Sequence, residues 1–119
     1  MASDVQEAAG GLRITRSDAS GATLLRLQGE LDLASAPELS AAVQDAFARA
    51  PRPVVLDMAA VGFIDSTGVR TLLEAQHVAG RDLVLMAPSA AVTRVLDLTH
   101  LRGRFTEIDA DADLATLHR

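Results

Sequence analysis

Cysteine, tryptophan and tyrosine are absent from the chain, and phenylalanine occurs three times. Without cysteine there is neither a disulfide framework nor thiol chemistry. With aromatics at 3% of residues there is little material for stacking bases or sugars, which argues against a ligand site built on aromatic platforms. Long apolar runs are missing as well: none approaches the roughly 18 residues of a membrane span. The stretch from Met1 to Arg13 lacks a basic start followed by an apolar segment, so no signal peptide is read there. Positive charge is in deficit, 11 Lys and Arg against 16 Asp and Glu, for a net charge of -5. That balance argues against direct nucleic-acid contact and against an anionic membrane surface. These absences together lead to the expectation of a cytoplasmic protein.

What is present is aliphatic. Apolar residues make up 49% of the 119 residues, enough for one core of Leu, Val, Ile and Ala in a single domain. Residues 1–10 are small and polar and read as a flexible N-terminus, with the domain covering 11–119. Leu12 and Ile14, then Leu25 and Leu27, alternate with polar neighbours at the period of half-buried strands. The turn formers of Ser17–Ala22 lie between them, so a hairpin of about 11–17 and 22–28 is expected. Ser35 with Glu38 three residues on has the form of a capping box, and Pro37 suits a first helical turn. Leu39, Ala42, Val43, Ala46 and Phe47 follow at helical spacing, predicting a helix over 36–49 that Pro51 and Pro53 stop.

Val54–Met58 is a β-branched run after a breaker and reads as a buried central strand. A loop holding Gly62–Asp65 is expected next, and then a second helix from Ser66 to Gly80 with Val69, Leu72 and Leu73 inward. Leu83–Met86 reads as a strand, Pro88-Ser89 as the start of a third helix with Val92, Val95 and Leu96 inward. Phe105–Ile108 reads as a last strand and Ala112–Leu117 as a short helix. The predicted fold is α/β: a single domain with a mixed, mainly parallel sheet in the order β-β-α-β-α-β-α-β-α.

The segment that stands out is Phe63-Ile64-Asp65-Ser66-Thr67-Gly68, at the carboxyl end of a central strand and the start of a helix. Ligands dock at that edge of open α/β sheets. The unpaired N–H groups and positive dipole end of the helix would meet a phosphate added to a hydroxyl there. On the residues alone, Asp65 or Ser66 is an ordinary N-cap, a role compatible with modification. His77, His100 and His118 share no metal-ligand spacing. Asp109, Asp111 and Asp113 alternate without the glycine and distal glutamate of a calcium loop, and read as the solvated start of the last helix. Ile64–Gly68 lacks the first glycine of a nucleophile elbow, and no histidine has an evident reason to lie beside Ser66. No Gly-rich phosphate loop is present. Neither catalysis, a metal nor a cofactor is expected.

Three blocks, Leu27–Asp32 (LQGELD), Val54–Val69 (VVLDMAAVGFIDSTGV) and Ser89–Leu101 (SAAVTRVLDLTHL), occur in order and with matching spacing in a chain that resembles the anti-sigma factor antagonists of the STAS domain family. The likeness runs from about Leu12 to Leu117, and the Asp-Ser-Thr-Gly element is its most specific mark. The resemblance implies a partner, an anti-sigma factor serine kinase of the ATPase fold, whose capture frees a sigma factor. It implies phosphorylation of Ser66 by that kinase, reversal by a serine phosphatase, and partner contacts from Asp32, Asp65, Ser66, Thr67, Gly68 and Arg70. Two positions depart from the pattern. Val69-Arg70 stands where the family often has Leu-Gly, and His100 stands where a glycine often precedes the leucine. Both bear on which kinase is recognised. The competing reading is a STAS scaffold or transporter-accessory module in which Ser66 is only a cap.

Overall fold

The computed structural model describes residues 4–8 and 11–117. The described residues build one six-stranded sheet, ordered β1-β2-β3-β4-β5-β6. Its elements are β1 (Asp4–Ala8), β2 (Leu12–Ala19), β3 (Ala22–Leu31), α1 (Ala36–Arg49), β4 (Val54–Ile64), α2 (Ser66–Ala79), β5 (Leu83–Met86), α3 (Ala90–Leu98) and β6 (Thr106–Ile108). Strands β2 and β3 form the expected hairpin, with Ala19 paired to Ala22 across Ser20-Gly21. Both turn residues have positive φ, 53° and 79°, the twist that a two-residue hairpin loop requires. From β3 onward, each strand pairs in parallel with the next through one helix.

The pleat divides the sheet into two apolar faces. Leu25, Leu27, Leu56, Met58, Leu83 and Leu85 point to the face that all three helices cover, where they meet Leu39 and Val43 of α1, Leu72 of α2 and Val92 and Leu96 of α3. The alternate residues Leu24, Val55, Val84 and Met86 form a smaller cluster on the other face, closed by Leu114. Leu114 comes from a 3-10 turn, Asp111–Leu117, where the sequence predicted a short helix from Ala112. The Asp113 carboxylate starts that turn by accepting from the N–H groups of Asp109 and Ala110, both at 3.3 Å. At the other end of α3, Arg102 forks onto Glu107 of β6 at 3.0 and 3.2 Å, and that bond holds its proton more tightly than an ordinary guanidinium does.

Two further expectations are corrected. Within the segment read as flexible, residues 4–8 form β1, antiparallel to β2 from Asp4 opposite Arg16 to Ala8 opposite Leu12. An edge strand is held by backbone pairing, which a small polar composition does not advertise. The second correction concerns Gly62–Ile64, read as loop, which continues β4 to eleven residues. The register with β3 shifts between Arg26 and Gln28 and again between Gly29 and Glu30. These irregularities break the alternation, leaving Ala59 and Ala60 exposed, so a period-of-two reading stops at Met58. Gly29 is required at the bulge: its φ is +118°, and a Cβ would lie 2.0 Å from the Gly11 carbonyl oxygen. Among the described residues no helix is long and apolar enough to cross a membrane.

Candidate functional site

The carboxyl ends of β3 and β4 are neighbours, with Leu31 opposite Ile64, so the segments that leave them emerge side by side. The Asp65 N–H donates to the Leu31 carbonyl at 3.3 Å, extending that contact by one residue past the strand. Asp65 then turns out of β4 with extended backbone and caps α2, its Oδ1 accepting from the Gly68 N–H at 2.9 Å. With Asp65 as the cap, Ser66 is the first helical residue. It is exposed, and its hydroxyl makes no hydrogen bond among the described residues. The N–H groups of Ser66 and Thr67 have no acceptor within the helix.

Gly68 is buried against the β3 end. A Cβ there would lie 2.6 Å from the Leu31 carbonyl oxygen and 2.8 Å from Ile64 Cγ1, so only glycine lets α2 start this close to the sheet. Thr67 is half-buried, and its carbonyl accepts from the Thr71 hydroxyl at 2.9 Å. Arg70 is exposed one turn beyond Ser66.

Asp32 leaves β3 beside this junction. Its Oδ1 accepts from the N–H groups of Ala34 at 3.1 Å and Ser35 at 3.2 Å, an Asx turn that folds the β3–α1 loop onto itself. The expected capping box does not form. Ser35 makes no side-chain cap to α1; its hydroxyl, fully buried, donates to the Glu30 carbonyl at 2.8 Å and accepts from the Asp32 N–H at 3.0 Å. Ser35 thus ties the loop back to the strand it came from. Neither this role nor the apolar surface beside Ser66 was anticipated: Leu33 is 73% exposed and Phe63 48%. A signal for Leu33 was available, since it lies in the turn ahead of the α1 stripe that begins at Leu39.

The junction therefore brings Asp32, Asp65, Ser66, Thr67, Gly68 and Arg70 to one sheet edge. A shallow cleft of about 270 Å³ between α1 and α2 adjoins it, lined by Leu33, Pro37, Thr67, Arg70, Thr71 and Glu74. His77 is in the last turn of α2, about 16 Å along the helix axis from Ser66, and His100 follows α3. His118 lies outside the described residues. No group of His, Asp and Glu among the described residues is arranged to hold a metal.

The family model of the STAS domain matches residues 13–115. The chain belongs to the STAS domain family. Within that family its likeness is to anti-sigma factor antagonists. The anti-sigma-F factor antagonist RsfB of Mycobacterium tuberculosis is 31% identical over 72 residues, which are 60% of this chain and 59% of that protein. The alignable region thus spans about three fifths of the length of that curated relative. A crystal structure of an anti-sigma factor antagonist from Mycobacterium paratuberculosis superposes with a TM-score of 0.81 at 26% identity, covering 96% of this chain and all (100%) of the other. SpoIIAA of Bacillus in its phosphorylated form shares the fold, with a TM-score of 0.62 at 21% identity over 98% of this chain and 100% of the other.

Proposed function

We propose that this chain is a cytoplasmic anti-sigma factor antagonist that captures an anti-sigma factor serine kinase of the ATPase fold, thereby freeing a sigma factor, and that phosphorylation of Ser66 switches it off. The observation that carries this reading is the exposed, unbonded hydroxyl of Ser66 at the first residue of α2, next to a capping Asp65 and a buried Gly68. A kinase reaches a hydroxyl in that position without unfolding anything, and a serine phosphatase reaches the product equally well. Asp32, Asp65, Thr67, Gly68 and Arg70 form the rim of the contact surface. Leu33 and Phe63 supply exposed apolar area, of the kind that anchors an interface at its centre.

The sign of the switch follows from charge. Phosphate adds about -1.5 to -2 charges at pH 7 to an edge that already holds Glu30, Asp32 and Asp65. Repulsion and the desolvation of phosphate then oppose a closed interface, and about 3 kcal/mol of such opposition lowers affinity more than a hundredfold. No refolding is needed. SpoIIAA, a relative by fold, has been solved in phosphorylated and unphosphorylated forms, which is consistent with a modification that the fold tolerates.

The test is capture from native cytosol by wild type, Ser66→Ala and Ser66→Asp, with the intact mass of each protein measured. Wild type and Ser66→Ala are expected to retain an ATPase-fold kinase, Ser66→Asp far less of it, and part of the wild-type pool to carry one phosphate. Equal capture by all three with no phosphate would make Ser66 only a helix residue and would favour the scaffold or transporter-accessory reading.

A further inference from the structure

Ser66 and Arg70 are both exposed on the first turns of α2. Residues four apart on a helix have Cβ atoms about 5–6 Å from each other, so the two side chains share one side of the helix. Among the described residues the Arg70 guanidinium makes no ion pair and no hydrogen bond. The acidic groups around it are otherwise placed. Asp65 Oδ1 caps Gly68, and Asp32 Oδ1 is occupied by the Ala34 and Ser35 N–H groups. Glu74 follows Arg70 by four residues, the weaker orientation for a helical ion pair, and lines the same cleft without bonding it. Glu30 is exposed at the end of β3, and Glu38 is half-buried in the first turn of α1.

Given the phosphorylation of Ser66 proposed above, on which this rests, we propose that Arg70 is the internal counter-ion of phosphoserine 66, closing over the phosphate across the first turn of α2. An acid four residues ahead of a base is the favoured helical orientation. A phosphate offers three acceptor oxygens to a guanidinium fork that binds such groups bidentately, and the N–H groups of Ser66 and Thr67 add donors from below. Modification then changes the surface in two ways: it adds negative charge, and it withdraws a free cation from a partner. The unphosphorylated chain offers Arg70 to an acidic group across the interface; the phosphorylated chain does not. In those members of the resembling family that have glycine at this position, the second effect has no side chain to produce it. Aspartate at position 66 brings one charge and two acceptor oxygens where phosphate brings about two charges and three, so it holds Arg70 less firmly and Ser66→Asp weakens capture less than phosphate does.

The experiment installs phosphoserine at position 66 during translation and follows its second ionisation by 31P NMR, in otherwise wild-type protein and in Arg70→Gln and Arg70→Lys. The midpoint in the wild-type background is expected roughly half a unit below that of Arg70→Gln, in which the helix N–H groups and the neighbouring carboxylates are unchanged, with Arg70→Lys between them. The gap should shrink in about 1 M salt, where the screening length is about 3 Å. Equal midpoints for wild type and Arg70→Gln would overturn the proposal. Because no kinase takes part, that outcome would leave the phosphorylation reading standing, and failure of the kinase capture would not mimic it.

Discussion

At the scale of single residues, two backbone positions decide how tightly α2 and α3 meet their neighbours. Gly68 brings the first turn of α2 against the Leu31 carbonyl, and that neighbour is backbone, which cannot rotate away from an added methyl 2.6 Å from it. Gly68→Ala is therefore expected to cost about 1–3 kcal/mol in urea unfolding, the range for overpacking, and to displace Ser66 relative to the Asp32 loop. His100 poses the opposite case. It follows α3 with φ of 58°, and the next N–H, that of Leu101, returns to the Leu96 carbonyl at 2.9 Å, as in a helix stop built for a left-handed residue. A side chain in that conformation costs about 1–2 kcal/mol, while glycine would add about 0.5–1 kcal/mol of unfolded-chain entropy. His100→Gly should then stabilise by about 0.5–1 kcal/mol, measurable as a raised urea midpoint. An unchanged or lowered midpoint would mean that the imidazole contributes something the backbone geometry does not reveal. The family pattern of glycine before the leucine thus has a conformational basis, and the departure at His100 bears on stability.

At the scale of elements, the β3–α1 loop is held by Ser35 rather than by a cap. Ser35→Ala removes the donor to the Glu30 carbonyl and the acceptor for the Asp32 N–H inside a fully buried site, for an expected loss of about 1–3 kcal/mol. Amide exchange at Asp32 and Ser35 should accelerate while exchange in β5 keeps pace only with the global loss; uniform acceleration would show that the loop has no independent stability. This element also shows where sequence pattern ends. The hairpin, the three helices and a cap at Asp65 or Ser66 were legible because each is encoded locally, by alternation, by helical spacing or by a cap one turn from its target. Ser35 followed by Glu38 matches a local rule too, but the hydroxyl finds stronger partners in the preceding strand. The second half of β4 was hidden for a related reason: the bulges opposite Gln28 and Glu30 belong to the pairing of two strands, and no window on one strand contains them. The exposure of Phe63 was likewise illegible, since an apolar residue at the end of a strand reads as core until the neighbours that fail to cover it are known.

At the scale of the whole molecule, the two apolar faces share their strands: β4 sends Leu56 and Met58 to the helices and Val55 to the cluster under Leu114. A sheet loaded on both sides in this way should unfold as one unit, although the back cluster is small and closed by a single 3-10 turn at the end of the described chain. Leu114 is 1% exposed, and Leu114→Ala leaves a cavity against Val55, Val84 and Met86, for an expected loss of about 2–4 kcal/mol. Such a loss is a large fraction of the roughly 5–15 kcal/mol that holds a domain of this size together. If the faces are coupled, the urea midpoint falls with an unchanged slope and a single transition. With no tryptophan or tyrosine in the chain, the transition must be followed by far-UV circular dichroism and by the Phe105 ring resonances, which report on the helix side of the sheet. Coincident curves from the two probes mean that losing the back cluster unfolds the front. If Phe105 retains its native signal while ellipticity falls in a first step, the C-terminal turn is a separate cooperative unit, and the edge that carries Ser66 stands without it.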